Sequence, residues 1–298
     1  MSGLPYLDAR RLADLVPMAD AIEVLEVVLR GGFDAATDPA RCAVPVAAGQ
    51  LLLMPSQTSL AVGVKVVSVA PANPSRKLPR VQAVYVLMDP QTLSPIALLD
   101  GVALTSLRTP AVSAVAARHL APADAHTLVV FGCGPQAAAH VESMRAVRDI
   151  RELLVIGRDP ARTAVFAAAV GGKVGTVDDV GRADIVVCAT SAADPLFTDD
   201  LVRSRTCVVA VGSHEPHVRE LDAGLMHRAH VVVEDQATAL REAGDVVQAA
   251  LTAAELTSLG DVVMGQVRFT DDAPRVFKSV GMAWEDLAVA TEAVRRAS

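Results

Sequence analysis

From Thr127 onward the sequence settles into a repeating rhythm, and that rhythm restricts the possible folds more than any other feature. TLVVFG (127–132) runs into a helical stretch to about Val147, and ELLVIG (152–157) into another to about Val170. ADIVVCAT (183–190), TCVVAVG (206–212) and HVVVED (230–235) follow, each after a polar or helical connection. Strands joined this way run parallel, because a chain returning to the same end of a sheet must cross its face. The runs are almost purely apolar, so both faces of the sheet must be covered. An α/β domain with a central parallel sheet is the expectation for this part of the chain.

The turn after the first of these strands is Gly132-Cys133-Gly134-Pro135-Gln136-Ala137. It fits G-x-G-x-x-G/A placed after a strand and before a helix. Gly132 permits the tight turn, Gly134 lets a pyrophosphate approach the backbone, and Ala137 lets helix and strand pack closely. The helix N-terminus then offers free N–H groups and a partial positive charge to phosphate. Pro135 suits the first helical turn, where its missing N–H is no loss. The alternative is an ordinary strand-to-helix turn. At the end of the second strand, NAD-binding proteins place an acid that bonds the ribose hydroxyls. Here Gly157 and Arg158 occupy that place, with Asp159 next and Arg162 a helical turn later. A guanidinium pairs with a 2′-phosphate, so NADPH is favoured, with NADH possible. The alternative is a helix start capped by Asp159, with both arginines solvated.

The first third reads differently. Ala19–Gly31 has helical spacing, and Cys42–Val46, Leu51–Met54, Ala61–Ala70 and Gln82–Asp89 read as strands without helices between them. That pattern predicts a mostly antiparallel or mixed sheet. A helix is expected over Thr105–Leu120, and an amphipathic one over Gly281–Ala297 that packs back on the first domain. The chain has 298 residues, 52% apolar and 3% aromatic, so it suffices for two domains with cores of Ala, Val and Leu.

Two basic residues stand in unusual company. The chain has only four lysines (Lys65, Lys77, Lys173 and Lys278), and Lys65 lies inside LAVGVKVVSVA. Alternation puts it on the face opposite Val64 and Val66. A desolvated lysine has a lowered pKa and works as a proton donor or acceptor; otherwise it is an outward-facing residue on a half-exposed strand. Arg108, in ALTSLRTPAVSAVAARHL, is expected at a helix start, where it opposes the dipole and calls for an anion. A substrate carboxylate, a cofactor phosphate or a structural salt bridge would each answer. Arg41, in PARCAVPV, is a weaker candidate of the same kind.

Taken together, these segments resemble the ornithine cyclodeaminase/μ-crystallin family. The resemblance rests on GVKVVSVAPANP (63–74), LRTPAVSA (107–114), FGCGPQA (131–137), AVGSHEPHVRELD (210–222), LREAGDV (240–246) and FKSVGMAWEDLA (277–288). It implies a Rossmann domain over 118–278. It implies too a dimerising, substrate-binding α+β domain built from both chain ends, 1–117 completed by 279–298. It also implies a homodimer whose sheets join across the two-fold. By the same resemblance Lys65 is the active-site lysine, while Arg41 and Arg108 hold the substrate carboxylate. Arg108, Thr109, Thr190, Ser191, Val211 and Ser279 then lie near the dinucleotide, and Arg158 matches the arginine of NADPH-binding members.

One departure separates two functions. Members that cyclise ornithine carry an acid two positions after the glycine of VG, and here that position is His214, with Glu215 beside it. Together with the missing strand-end acid, this points to the reductase branch, acting on cyclic imino acids such as pyrroline-2-carboxylate or piperideine-2-carboxylate. Lys65, alone or through a water shared with His214, is the expected proton donor; His214 is otherwise a loop residue without a role. The alternatives are an ornithine cyclodeaminase, an alanine-dehydrogenase-like enzyme, and a non-catalytic binding protein. A net charge of −7 argues against nucleic acid and anionic membranes as partners. The absence of a signal-like or membrane-length apolar run, and four cysteines without metal-ligand spacing, give a cytoplasmic protein without a metal site as the expectation.

Overall fold

The computed structural model describes residues 3–297. The chain packs into two compact units. The first comprises residues 1–28, 37–109 and 282–298, and the second residues 29–36 and 110–281.

The first unit opens with β1 (Tyr6–Leu7), α1 (Ala9–Leu15) and α2 (Met18–Arg30). Then come β2 (Cys42–Val46), β3 (Gly49–Gln57), β4 (Val62–Val69), β5 (Val81–Met88) and β6 (Pro95–Asp100). These strands form one sheet in the order β1-β6-β5-β4-β3-β2. Strands β2 to β6 pair antiparallel and β1 joins parallel at the far edge, so the sheet is mixed. On β4, Gly63, Lys65 and Val67 face the buried side, and Val62, Val64 and Val66 the half-exposed side. The alternation inferred from sequence is therefore present, and its buried face is the one that carries the lysine.

Helix α3 (Gly101–Leu120) starts earlier than expected. Asp100, the last residue of β6, accepts hydrogen bonds from the backbone N–H groups of Val102 and Ala103, both at 2.9 Å, and so caps it. The changeover between the units falls within this helix, between Thr109 and Pro110, rather than at residue 117. Ala111–Ala117 are all fully buried small residues, and they belong to the second unit.

The second unit holds β7 (Thr127–Phe131), α4 (Pro135–Val147), β8 (Glu152–Ile156), α5 (Pro160–Ala169), β9 (Lys173–Val174), β10 (Ile185–Cys188) and β11 (Cys207–Ala210). It continues with α6 (Ala223–Arg228), β12 (His230–Val233), α7 (Gln236–Glu242), α8 (Gly244–Gln248), β13 (Leu256–Ser258), α9 (Leu259–Val263) and β14 (Arg275–Lys278). All eight strands pair parallel, in the order β13-β12-β14-β11-β10-β7-β8-β9. The order reverses between β7 and β10. The glycine turn after β7 therefore opens at the switch point where doubly wound sheets bind ligands. Strand β14 was not expected from sequence, since four residues give little periodicity. It is nonetheless fully buried between β11 and β12.

Helix α10 (Ala283–Ala297) returns to the first unit and packs on β3, β4 and β5. Its first turn carries Glu285 and Asp286, both fully buried.

Candidate active site

In the first unit Lys65 is 2% exposed and stands between Met54 on β3 and Tyr85 on β5. An ammonium buried among such neighbours needs a counter-ion. Asp286 supplies one: its Oδ2 lies 2.6 Å from Lys65 Nζ. Lys65 also donates to Thr105 Oγ1 at 3.0 Å, and the Thr105 hydroxyl is itself committed to the Gly101 carbonyl at 2.8 Å. An ammonium has three donors, and among the described residues the third finds no acceptor. Burial pulls the Lys65 pKa down to about 8, against the opposing pull of Asp286.

Arg108 joins the same cluster, and its setting corrects the expectation of a helix start. It is the eighth residue of α3, because the Asp100 cap begins the helix at Gly101 rather than at Thr105. Its guanidinium is 5% exposed and donates to Glu285 Oε2 at 2.6 Å, while its Nε lies 3.5 Å from Asp286 Oδ1. The anion demanded by Arg108 is thus partly supplied from within the chain. Asp38 lies behind this group, accepting from Ser56 Oγ at 2.5 Å and from the Trp284 N–H at 2.7 Å. Burial raises its pKa to about 6. Arg41 is half-buried, immediately ahead of the edge strand β2.

In the second unit the glycine turn has the geometry that phosphate binding asks of it. Gly132 has φ +116°, and a Cβ there would sit 2.5 Å from the Ala189 carbonyl oxygen. A Cβ on Gly134 would meet nothing within 4 Å, so the backbone there faces open space. Gly134 is the N-cap of α4, with Pro135 in its first turn. A groove of about 410 Å³ opens here. Gly132, Cys133, Gly134, Gly157, Arg158, Asp159, Arg162, Thr190 and Ser191 line it, with Phe131, Ile156 and Thr163. Pro135, Gln136, Ala137 and Val211 lie outside that lining, Ala137 being fully buried under the turn. The open backbone, the helix N-terminus and the arginines fit a dinucleotide phosphate chain.

A Cβ at Gly157 would meet Thr163 Oγ1 at 2.4 Å and Cys133 Sγ at 2.8 Å, so a larger residue there would have to displace these side chains. Arg158 is exposed and free of protein partners among the described residues. Arg162 is tethered, donating to the Cys133 carbonyl at 3.1 Å. Asp159 is exposed and serves as the N-cap of α5, accepting the Arg162 N–H at 3.0 Å.

The description of the ornithine cyclodeaminase/mu-crystallin family matches residues 8–298. The chain belongs to this family. It is 34% identical to a Delta(1)-pyrroline-2-carboxylate reductase of Bacillus cereus, over 95% of this chain and 94% of that protein. It is 33% identical to the ketimine reductase mu-crystallin of Rattus norvegicus, over 93% of this chain and 90% of that one. Among solved structures it resembles Thermococcus litoralis Delta(1)-pyrroline-2-carboxylate reductase in complex with NADH and L-proline. That match has a TM-score of 0.90 and 30% identity, covering 98% of this chain and 97% of the other.

In this family member the loop ends beyond β10 and β11 are fixed by acids that sequence reading passed over. Glu220, fully buried, accepts from the Thr190 N–H at 2.8 Å, the Thr190 hydroxyl at 2.7 Å and the Gly212 N–H at 2.7 Å. Lys278 is fully buried, 3.1 Å from Asp245, and donates to the Ser213 carbonyl at 2.5 Å. Asp245 in turn accepts the Glu220 and Leu221 N–H groups at 2.7 and 2.8 Å. Ser279 is buried, and its hydroxyl donates to Glu234. The hydroxyls and the backbone N–H groups of Thr190 and Ser279 are therefore all occupied within the protein. His214 is exposed, and Glu215 pairs with His217 at 3.0 Å. Thr109 is half-buried at the end of the first unit's share of α3. The signal that could have found Glu285 and Asp286 was two adjacent acids in the first turn of an otherwise apolar helix start.

Proposed function

We propose that this protein reduces cyclic α-imino acids, such as pyrroline-2-carboxylate or piperideine-2-carboxylate, with NADPH. The observation that carries the reading is Lys65: a buried lysine, charged through Asp286, with one N–H left for a ligand. When bound in the groove through the glycine turn and Arg158, the cofactor supplies the hydride that forms the new C–H bond. Lys65 donates the proton that forms the new N–H bond on the imine nitrogen. Arg108, with Arg41, receives the substrate carboxylate. Glu285 holds the guanidinium of Arg108 in place from one side. Similarity to reductases over nearly the whole chain supports this assignment.

The reductase reading is preferred to ornithine cyclisation because His214 stands where a carboxylate is needed. The adjacent Glu215 is paired with His217 and does not replace it. The protein works as a homodimer in this reading. Its sheet ends on β2, whose five residues are all exposed, Val44 by 39% and Val46 by 44%. Such an apolar edge invites a second copy. Among the described residues no helix is long and apolar enough to cross a membrane. A cytoplasmic location suits its four free cysteines.

The test follows NADPH oxidation with a panel of cyclic imino acids, pyruvate plus ammonia or methylamine, and ornithine as a control for ammonia release. Turnover is expected with the cyclic substrates. A Lys65→Met variant should keep NADPH binding and lose most of that turnover. Near-normal turnover in the variant would refute the role of Lys65, and ammonia release from ornithine would replace the reading with a lyase.

A further inference from the structure

The first turn of α10 brings two carboxylates to two cations that lie far away in sequence. Helix N-termini favour negative charge, and Glu285 and Asp286 stand there fully buried. Glu285 is divided between Arg108 and the Met282 N–H, which it accepts at 3.1 Å. Asp286 is the direct partner of Lys65. Its second oxygen, Oδ1, has no hydrogen-bond partner and only the 3.5 Å approach of Arg108 Nε.

We propose that Asp286 is the positioning residue that keeps Lys65 charged and aimed, so that the resting lysine is a proton donor. The proposal deepens the reductase reading and rests on it. Every charged group facing Lys65 enters the argument. From α10 come Asp286 and Glu285, both favouring the ammonium. From α3 comes Arg108, which opposes it, and from β5 the buried Tyr85, which stays protonated. Asp38 lies beyond Asp286, and burial holds its carboxyl partly in the neutral form near pH 6. Glu285 is largely spent on Arg108. Without Asp286, Lys65 would be a desolvated ammonium facing a guanidinium, and it would shed its proton. The bond to Thr105 cannot replace the carboxylate, because it brings no charge.

The scarcity of lysine gives a direct readout. With lysine labelled at Cε with carbon-13, the full-length protein has only four lysine positions, at residues 65, 77, 173 and 278, and a Lys65→Met sample assigns the first. In Asp286→Asn the Lys65 titration midpoint is expected to fall by about one pH unit or more, as for loss of an opposite charge in contact. The high-pH limb of kcat for imine reduction should move down with it. Asp286→Glu should return both toward the wild-type position. Thr105→Val, which keeps the charge, should shift the midpoint by less than half as much. An unmoved midpoint in a folded Asp286→Asn protein overturns the proposal. If that variant does not fold, a Thr105→Val shift as large as a full unit overturns it instead. Should the wild type reduce no imino acid, the reductase reading falls, while the lysine midpoint still decides the role of Asp286.

Discussion

Replacing Arg158 by alanine tests the proposal that this residue separates NADPH from NADH. Arg158 is exposed at the groove and bonds to no described residue, so its removal leaves no buried partner unsatisfied. The fold should not notice. A charge-assisted hydrogen bond contributes about 1.5–3 kcal/mol, and solvent at an exposed site holds the value near the lower end. A loss of about 1.5–2 kcal/mol corresponds to a weakening of roughly tenfold to thirtyfold for NADPH. Arg162 cannot take over fully, because its guanidinium is held by the Cys133 carbonyl. NADH lacks the 2′-phosphate and should weaken by no more than about threefold, through loss of general attraction to the pyrophosphate. Titrating each dinucleotide into protein and following nicotinamide fluorescence, at low and high salt, gives both constants. The NADPH penalty should shrink as salt rises. Equal losses for the two dinucleotides, or an unchanged NADPH constant, would refute the assignment of the 2′-phosphate site to Arg158.

Two further outcomes follow from the same geometry. His140 is fully buried, its Nδ1 2.8 Å from the Gln136 carbonyl and its Nε2 3.0 Å from Ser113 Oγ. The carbonyl fixes the proton on Nδ1, and burial pushes the pKa from 6.5 down to about 4. The folded state then binds fewer protons than the unfolded chain between these values. Stability should therefore drop as pH falls from 6.5 toward 4, by at most about 3 kcal/mol from this group. Urea unfolding at neutral and acid pH should show a smaller drop in His140→Leu; an undiminished drop would exclude His140 as the cause. Light scattering should give about twice the 31.0 kDa chain mass, and Val44→Lys on the β2 edge should shift the mass toward the single chain. A wild-type mass of one chain contradicts the dimer.

Much of the second unit was legible because its determinants are local. The glycine turn, the proline in the first helical turn and the Asp159 cap all act within a few residues, and each appears where the sequence places it. The misplacement of Arg108 has a local cause as well. The helix begins at Gly101 rather than at Thr105, because Asp100 satisfies two of its first N–H groups. Strand β14 escaped notice because a four-residue run acquires meaning only from the neighbours that bury it.

The sequence by itself determined that a strand carries a lysine on one face, that a glycine turn joins the first strand of the second unit to a helix, and that an arginine follows the second strand. Alternation and turn stereochemistry operate over two to six residues, and a sequence displays them directly. Which face of β4 is buried was decided only by the tertiary structure, when α10 packed on β3, β4 and β5. The same packing brought Asp286 to Lys65 across 221 residues and Glu285 to Arg108 across 177. A buried charge must find its partner in space, and nothing in the spacing along the chain records which distant carboxylate will be there.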